Sequence, residues 1–374
     1  MLNKLNKRIV FTGGHHNSAL AVAMELKKKG CEVFWLGHKY SMWGDNSPAA
    51  EYREVTATGI QFFELKAGKL YRTYNPLKLL RIFWGFIEAF KCLRLTRPDI
   101  IVSFGGYLAV PVVIVGWFLG IPAITHEQTS VSGLSNQLIG RFARVVLLTY
   151  DTSKSYFPQG KVKVIGLPLP ESFFRYLKVH EVKKKRSNKA IFITGGKQGS
   201  HVINKKIMPV IGKLVRKYEV IHQTGSSTLF RDFAAAGSIR DEMNVSLRSR
   251  YKVVDYLSGD DNWKAWFHAD LIVSRSGAHT VYQLGVTGKP ALLIPIPWVV
   301  NNEQHRNAQI LKQIGSVEIL AERDLTPERL LDKIQLMMGN LEFYEKNAFS
   351  HRYDFPLNAK EKMVDEIVQI ISED

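Results

Sequence analysis

"SFGGYLAVPVVIVGWFLGIPAIT", residues 103–125, carries no charged side chain, and its reading decides the fold. A membrane-spanning helix needs about 20 mostly apolar residues, so length alone allows a span. The stretch is punctuated, however, by Gly105-Gly106, Pro111, Gly116 and Gly120-Ile121-Pro122, and glycine and proline bend or end regular elements. With the preceding "PDIIVSF" it reads as a strand, a Gly-Gly turn, an apolar helix from about Val110 to Leu119, and a second strand, "IPAIT". Parallel strands joined by a helix are buried on both faces and so read as continuous apolar runs. The stretch is therefore expected to be a βαβ unit inside an α/β domain.

Outward from it, two segments begin alike: "RIVFTGGHH" at 8–16 and "AIFITGGKQGS" at 190–200. Each is a β-branched and aromatic strand, then Thr-Gly-Gly, then a helical pattern. The first helix carries Lys27-Lys28-Lys29 in its last turn before Gly30, a basic end and a glycine cap; the second must be kinked or shortened at Pro209. A chain of 374 residues is long for one core. The expected architecture is α/β, with two Rossmann-like doubly wound domains facing a cleft. Residues 1–160 form the first domain, 161–345 the second, and 346–374 a helix that crosses back to the first domain or packs on its own. Further strands are expected near Glu32–Leu36, in "ARVVLLTY", and in "YEVIHQTG", "YKVVDYL", "ADLIVSRSGAHT" and "KPALLIPIP".

The formal charge of +17 calls for an anionic partner: a phosphate-bearing substrate, an anionic membrane surface or a nucleic acid. Basic runs are spread along the chain and no nucleic-acid-reading module stands out, which leaves nucleic acid the minor alternative. Cys31 and Cys92 have neither metal spacing nor the makings of a disulfide framework. The N-terminal residues lead directly into a strand with no signal-peptide core, so a cytoplasmic location is expected. No DxD pair, zinc spacing or Walker lysine occurs, and nothing requires a metal or cofactor; divalent-metal dependence stays open.

Four loops have the composition of sites. Thr194 to Ser200 closes a strand and opens a helix, where free N–H groups and the helix dipole attract an anion; a plain glycine turn is the alternative. Arg275, in Ser274 to Thr280, has the geometry to clamp a diphosphate or to cap a neighbour. His15 stands where the first helix begins, where the dipole disfavours imidazolium and leaves a neutral ring able to accept a proton. His126-Glu127-Gln128 puts an imidazole and a carboxylate at the sheet edge, for chemistry or for holding loop backbone.

Taken in chain order, Thr12-Gly13-Gly14-His15, Phe104-Gly105-Gly106-Tyr107 with Pro111, Gly120-Ile121-Pro122 before His126-Glu127-Gln128, and Gly133-Leu134 with Asn136 form one series. Gly195-Gly196, Gln198-Gly199, Asn204, His222-Gln223 with Gly225, Arg275-Ser276-Gly277-Ala278 with Thr280, Gly288-Lys289-Pro290, and Gln304 with Asn307-Ala308 continue it. The series resembles the MurG family, GT-B fold enzymes that convert lipid I to lipid II in peptidoglycan synthesis. The resemblance implies an inverting transfer of N-acetylglucosamine from UDP-N-acetylglucosamine to an undecaprenyl-diphosphate-linked N-acetylmuramyl-peptide. It implies His15 and Glu127 as catalytic, with Thr12, Gly13, Gly14, Gly105, Gly106, Tyr107, His126 and Asn136 binding the acceptor. The UDP-sugar would fall to Gly195, Gly196, Lys197, Gln198, Gly199, Ser200, Asn204, Leu257, Arg275, Gly277, Ala278, His279, Thr280, Gln283, Gln304 and Asn307. It also implies a peripheral enzyme on the inner face of the cell membrane, with other cell-wall enzymes as possible partners.

Departures from that pattern are Val10-Phe11 for a Gly-Gly pair, expected to narrow the acceptor loop; Thr129 for asparagine; Leu167 and Pro170 at a seam that loses an arginine; Gln283 for glutamate; and Lys197 for serine. For the membrane contact, "NPLKLLRIFWGFIEAFKCLRLTRP" at 75–98 places Leu79, Phe83, Phe86, Ile87 and Phe90 broadly on one side of a helix near Lys78, Arg81, Lys91 and Arg94. That suits a lipid interface, or a helix that covers a sheet. Three other functions fit the residues: a UDP-N-acetylglucosamine 2-epimerase, a transferase for another lipid acceptor, and a non-catalytic nucleotide-sugar-binding protein.

Overall fold

The computed structural model describes residues 5–40, 48–65, 76–180, 188–196, 198–227 and 229–373. Lys197 and the side chains of Lys78, Leu79 and Arg81 lie outside the described residues, and with them the roles expected of those groups. The chain forms two compact units, Met1–Pro170 with Pro356–Asp374, and Glu171–Phe355.

The first unit has strands β1 (Arg8–Thr12), β2 (Glu32–Gly37), β3 (Gln61–Glu64), β4 (Ile100–Ser103), β5 (Ala123–Glu127), β6 (Val145–Leu148) and β7 (Val162–Val164). They pair in parallel in the order β3-β2-β1-β4-β5-β6-β7. Helices α1 (His16–Lys28), α2 (Ala50–Thr56), α3 (Pro76–Thr96), α4 (Ala109–Phe118) and α5 (Leu134–Phe142) connect them. Alternation along the strands separates two cores. Ile9, Phe11, Trp35 and Val102 pack with α1 residues and with Met363, Ile367 and Ile370 of the C-terminal helix Ala359–Glu373. Val10, Leu36 and Ile101 pack with Ala109, Val112 and Val113 of α4.

The residues 103–125 thus form the end of β4, a turn, α4 and β5. Gly116 lets α4 lie on the sheet, since a Cβ there would stand 2.2 Å from Ile101 Cδ1. Gly120, at φ +74°, ends the helix in a Schellman arrangement: its N–H donates to the Trp117 carbonyl at 3.1 Å, and Ile121 N–H to that of Gly116 at 2.9 Å. Among the described residues no helix is long and apolar enough to cross a membrane.

One sequence expectation changes here. Val10 and Phe11 are interior residues of β1, both fully buried on opposite sheet faces; Phe11 stacks between Trp35 and Phe104. The turn begins only after Thr12, so the pair fills core and does not narrow the loop. The first unit runs to Pro170, because β7 extends its sheet and Leu167 and Leu169 are buried.

The second unit has β8 (Ala190–Thr194), β9 (Glu219–Gln223), β10 (Tyr251–Val254), β11 (Leu271–Ser274), β12 (Ala291–Leu293) and β13 (Val317–Ile319). Their order, β10-β9-β8-β11-β12-β13, is again wholly parallel. In both sheets the strand order reverses, at β1/β4 and at β8/β11. At such a switch the loops leaving the strands diverge and open a crevice at their carboxyl ends.

Candidate active site

In the first unit the switch brings together the loops after β1, β4 and β5. Thr12 ends β1 and accepts Phe104 N–H through its carbonyl; Gly14 N–H donates to the Gly105 carbonyl at 3.2 Å. Glycine is required at position 13, at φ +127°, because an added Cβ would lie 2.8 Å from the Phe104 backbone and the Gly105 carbonyl. Gly105 and Gly106 also have positive φ, and Asn136 of α5 lies against Gly105. His15 immediately precedes α1 and makes no side-chain cap. Tyr107 is half-buried on the next loop, where burial, and then the Glu51 carboxylate, push its phenol pKa up. These expected acceptor residues therefore share one strand edge.

Glu127 ends β5 and is buried. Its Oε2 accepts Asn136 Nδ2 at 2.9 Å; its Oε1 accepts the Thr129 N–H at 3.1 Å and the Thr129 hydroxyl at 2.9 Å. Asn136 Oδ1 accepts the Thr125 hydroxyl at 2.7 Å. The carboxylate is thus held by two N–H donors, and by a Thr129 hydroxyl that shares its one proton with the Val131 carbonyl. His15 opens to solvent, yet the protein packed around it lowers its pKa; Glu127 opposes that shift and His16 adds to it. His15 and the Glu127 carboxylate thus lie within electrostatic reach of one another.

His126 faces the other way. It is fully buried, its ring lies tilted against that of Phe104 with centroids 5.5 Å apart, and its Nε2 lies 2.9 Å from the Gly166 carbonyl. Because a carbonyl only accepts, Nε2 carries the proton and Nδ1 is the bare nitrogen. Burial holds the ring pKa down at about 4, against the raising effect of that hydrogen bond; His15 lowers it further. His126 thus braces the loop that follows β7.

In the second unit, the loop Gly195–Ser200 closes tightly. A Cβ on Gly195 would stand 2.2 Å from Ser200 N, one on Gly199 2.1 Å from the Thr224 carbonyl, and one on Gly225 2.3 Å from the Gln198 carbonyl. Ser200 caps the helix His201–Ile207, which passes through a 3-10 turn at Met208–Val210, the effect of Pro209, before Ile211–Val215. Gln223 ties two expected donor elements: its Nε2 donates to the Gly196 carbonyl at 2.7 Å, and its Oε1 accepts Leu257 N–H at 3.3 Å.

Several expected donor contacts prove to be turned inward. Asn204 is 1% exposed and its amide is engaged by the Thr224 carbonyl, Asp232 and His222, so it holds the loop from within. Arg275 also points in. Its guanidinium meets Ser200 Oγ at 3.2 Å, the Ile294 carbonyl at 3.1 Å and Glu322 at 2.5 Å, so its charge is already paired and it braces Ser200. Asn307 is fully buried. Gln304 accepts Ile296 N–H at 3.1 Å and is half-buried. Gln198 is exposed, and Gly277, His279, Thr280 and Gln283 are partly open around the start of the helix Ala278–Thr287, with Ala278 buried. Sequence reasoning missed Gln223 as a connector, although the pair His222-Gln223 was in view. It also missed Glu322, which lies 47 residues from Arg275 with no local pattern to reveal it.

The two buried imidazoles set a pH dependence. His222 bridges Tyr251 and Asn204; burial holds its pKa at about 4, against the opposing pull of Asp232. For both His126 and His222 the unfolded chain binds more protons than the folded one between the ordinary histidine pKa and about 4. Stability is therefore full above pH ~6.5 and falls as pH drops toward ~4. A thermal melt as a function of pH should show a flat Tm above neutrality and a fall of several degrees across that window; the double variant H126Q/H222Q should lose most of the slope.

Residues 10–148 match the glycosyltransferase family 28 N-terminal domain and residues 190–365 the glycosyltransferase family 28 C-terminal domain. The chain is 32% identical over 336 residues, 88% of its length and 86% of the relative's, to the UDP-N-acetylglucosamine--N-acetylmuramyl-(pentapeptide) pyrophosphoryl-undecaprenol N-acetylglucosamine transferase of Solibacter usitatus. It is 32% identical to the enzyme designated 1 of that name from Bacillus thuringiensis, with 86% and 87% of the two chains covered. Its structure resembles crystalline Acinetobacter baumannii MurG, at a TM-score of 0.72 and 25% identity over 97% of this chain and 99% of that one. A UDP-GlcNAc 2-epimerase from Neisseria meningitidis shares the fold, at a TM-score of 0.65 and 15% identity over 96% and 99%.

Proposed function

The chain belongs to the MurG family of glycosyltransferase family 28, and from that premise we propose that it transfers N-acetylglucosamine from UDP-N-acetylglucosamine to the undecaprenyl-diphosphate-linked N-acetylmuramyl-pentapeptide, making lipid II from lipid I. The observation that carries the reading is that the likeness runs through both units, at 32% identity over 88% of the chain. The epimerase likeness, at 15% identity, extends to the fold alone. Incubation with radiolabelled UDP-N-acetylglucosamine and lipid I tests it: label should pass into the lipid fraction, and its retention as free nucleotide sugar would count against the proposal.

In the mechanism, the acceptor hydroxyl attacks the anomeric carbon as the bond to UDP breaks, with inversion. His15 takes the hydroxyl proton, and the fixed Glu127 carboxylate stabilises the imidazolium so formed. Thr12, Gly13, Gly14, Gly105, Gly106, Tyr107 and Asn136 shape the acceptor side. The departing diphosphate is received by N–H groups of the Gly195–Ser200 loop, which Arg275 holds through Ser200. Uracil lies against the backbone near Leu257, and Gln304 meets the sugar.

The enzyme works on a lipid-linked acceptor while attached peripherally to the inner membrane face. An apolar surface on three successive helices of the first unit supports this, since α3 packs on α4 and α4 on α5. Phe83, Trp84 and Phe90 of α3, Trp117 and Phe118 of α4, and Leu134 of α5 are exposed, with Lys91, Arg94 and Arg141 exposed on the same helices. Of the stripe expected from sequence, Phe86 instead packs onto the α4 core. Aromatic groups flanked by cations suit an anionic interface. Sedimentation with anionic vesicles should show attachment at low salt and release at high salt. The double variant F118S/L134S should bind at least about tenfold more weakly. Failure to sediment at low salt would remove the membrane role from this surface.

A further inference from the structure

We propose that Thr129 is a positioning residue, one that holds the Glu127 carboxylate in fixed relation to His15. The inference rests on the transfer reaction assigned above and adds a residue to it. Thr129 follows β5 by two positions, yet its N–H and hydroxyl both turn back on the same oxygen, Glu127 Oε1, at 3.1 and 2.9 Å. The other oxygen is held independently by Asn136 Nδ2 at 2.9 Å. The two clamps come from different elements, the loop after β5 and α5, so together they fix the plane of the carboxylate and not merely its distance.

Thr129 is itself held. Its carbonyl accepts the Ser153 hydroxyl at 2.8 Å, its hydroxyl shares one proton between Glu127 Oε1 and the Val131 carbonyl, and it is only 3% exposed. A threonine needed only to fill space has no reason to bring its N–H and its hydroxyl to one carboxylate oxygen. With its oxygens engaged in this way, Glu127 acts as a fixed charge, and the proton from the acceptor goes to His15. The groups bearing on His15 are Glu127 and His126 from β5 and its neighbour His16 from α1. Glu127 is the anion among them, so any loosening of it weakens the force that keeps the His15 pKa from falling further.

The test is the pH profile of kcat for transfer to lipid I in the full-length wild type, T129V and T129S, with thermal melts and separate KM values for donor and acceptor. Valine keeps the volume and the N–H and removes the hydroxyl; serine keeps both donors. T129V should lower kcat about tenfold, leave both KM values within about threefold, and displace the acid limb to lower pH. T129S should return the wild-type limb and kcat to within about twofold. T129A repeats the test if valine impairs folding. Wild-type kcat and limb in T129V would overturn the assignment, as would equal losses in T129V and T129S that track the melting temperature. A wild-type protein with no transfer activity would instead overturn the functional reading on which the inference stands.

Discussion

Replacing His15 by alanine lowers kcat for transfer by about a thousandfold, the usual worth of a positioned general base, and leaves the KM for UDP-N-acetylglucosamine within about twofold. The expectation follows from placement. His15 belongs to the first unit, at the β1 switch, and makes no cap hydrogen bond to α1, so its loss should not unfold the helix it precedes. Its neutral form is the reactive one; the protein packed around it lowers its pKa, and Glu127 opposes that shift. Removing the charge in E127Q should therefore move the acid limb of kcat to lower pH while reducing the plateau, because the imidazolium formed in the transition state loses its counter-charge. The kcat profiles of wild type and E127Q decide the matter: a limb that stays fixed, or moves to higher pH, would mean that Glu127 does not act through His15.

Gly199→Ala should cripple the donor side. Its Cβ would fall 2.1 Å from the Thr224 carbonyl and 2.6 Å from Gly225 Cα, at φ +77°. Both neighbours are backbone, so no side chain can rotate away and the loop must move. Overpacking of this kind costs roughly 1–3 kcal/mol and the left-handed conformation about 1–2 kcal/mol more. We expect UDP-N-acetylglucosamine to bind at least about tenfold more weakly by titration calorimetry. Gly196→Ala provides the comparison, with φ +85° but no atom within 4 Å of its added Cβ. It carries the conformational cost alone and should be the milder variant; equal effects would show that close loop packing does not shape the donor site.

The sequence made the βαβ unit at 100–127 and the two matched strand–glycine–helix openings readable, because continuous apolar strands and glycine turns are local signals. Three strands were not legible. Gln61–Glu64, Val162–Val164 and Val317–Ile319 are only 4, 3 and 3 residues long, too short for periodicity, and each is an edge strand of its sheet. The site was legible as a set of loops but not in the direction of its side chains. Arg275 was readable as a cation near a helix start; that Glu322 pairs it from a distant segment was not. Thr129 looked only like a lost asparagine, and its two hydrogen bonds to Glu127 depend on how the chain turns after β5.

Transfer to lipid I is tested by UDP release from UDP-N-acetylglucosamine by the purified protein, measured with and without detergent-solubilised lipid I. Release is expected only when lipid I is present, one UDP for each lipid molecule that gains the second sugar. UDP release or sugar isomerisation in the absence of lipid, or nucleotide-sugar binding with no release under either condition, would contradict it.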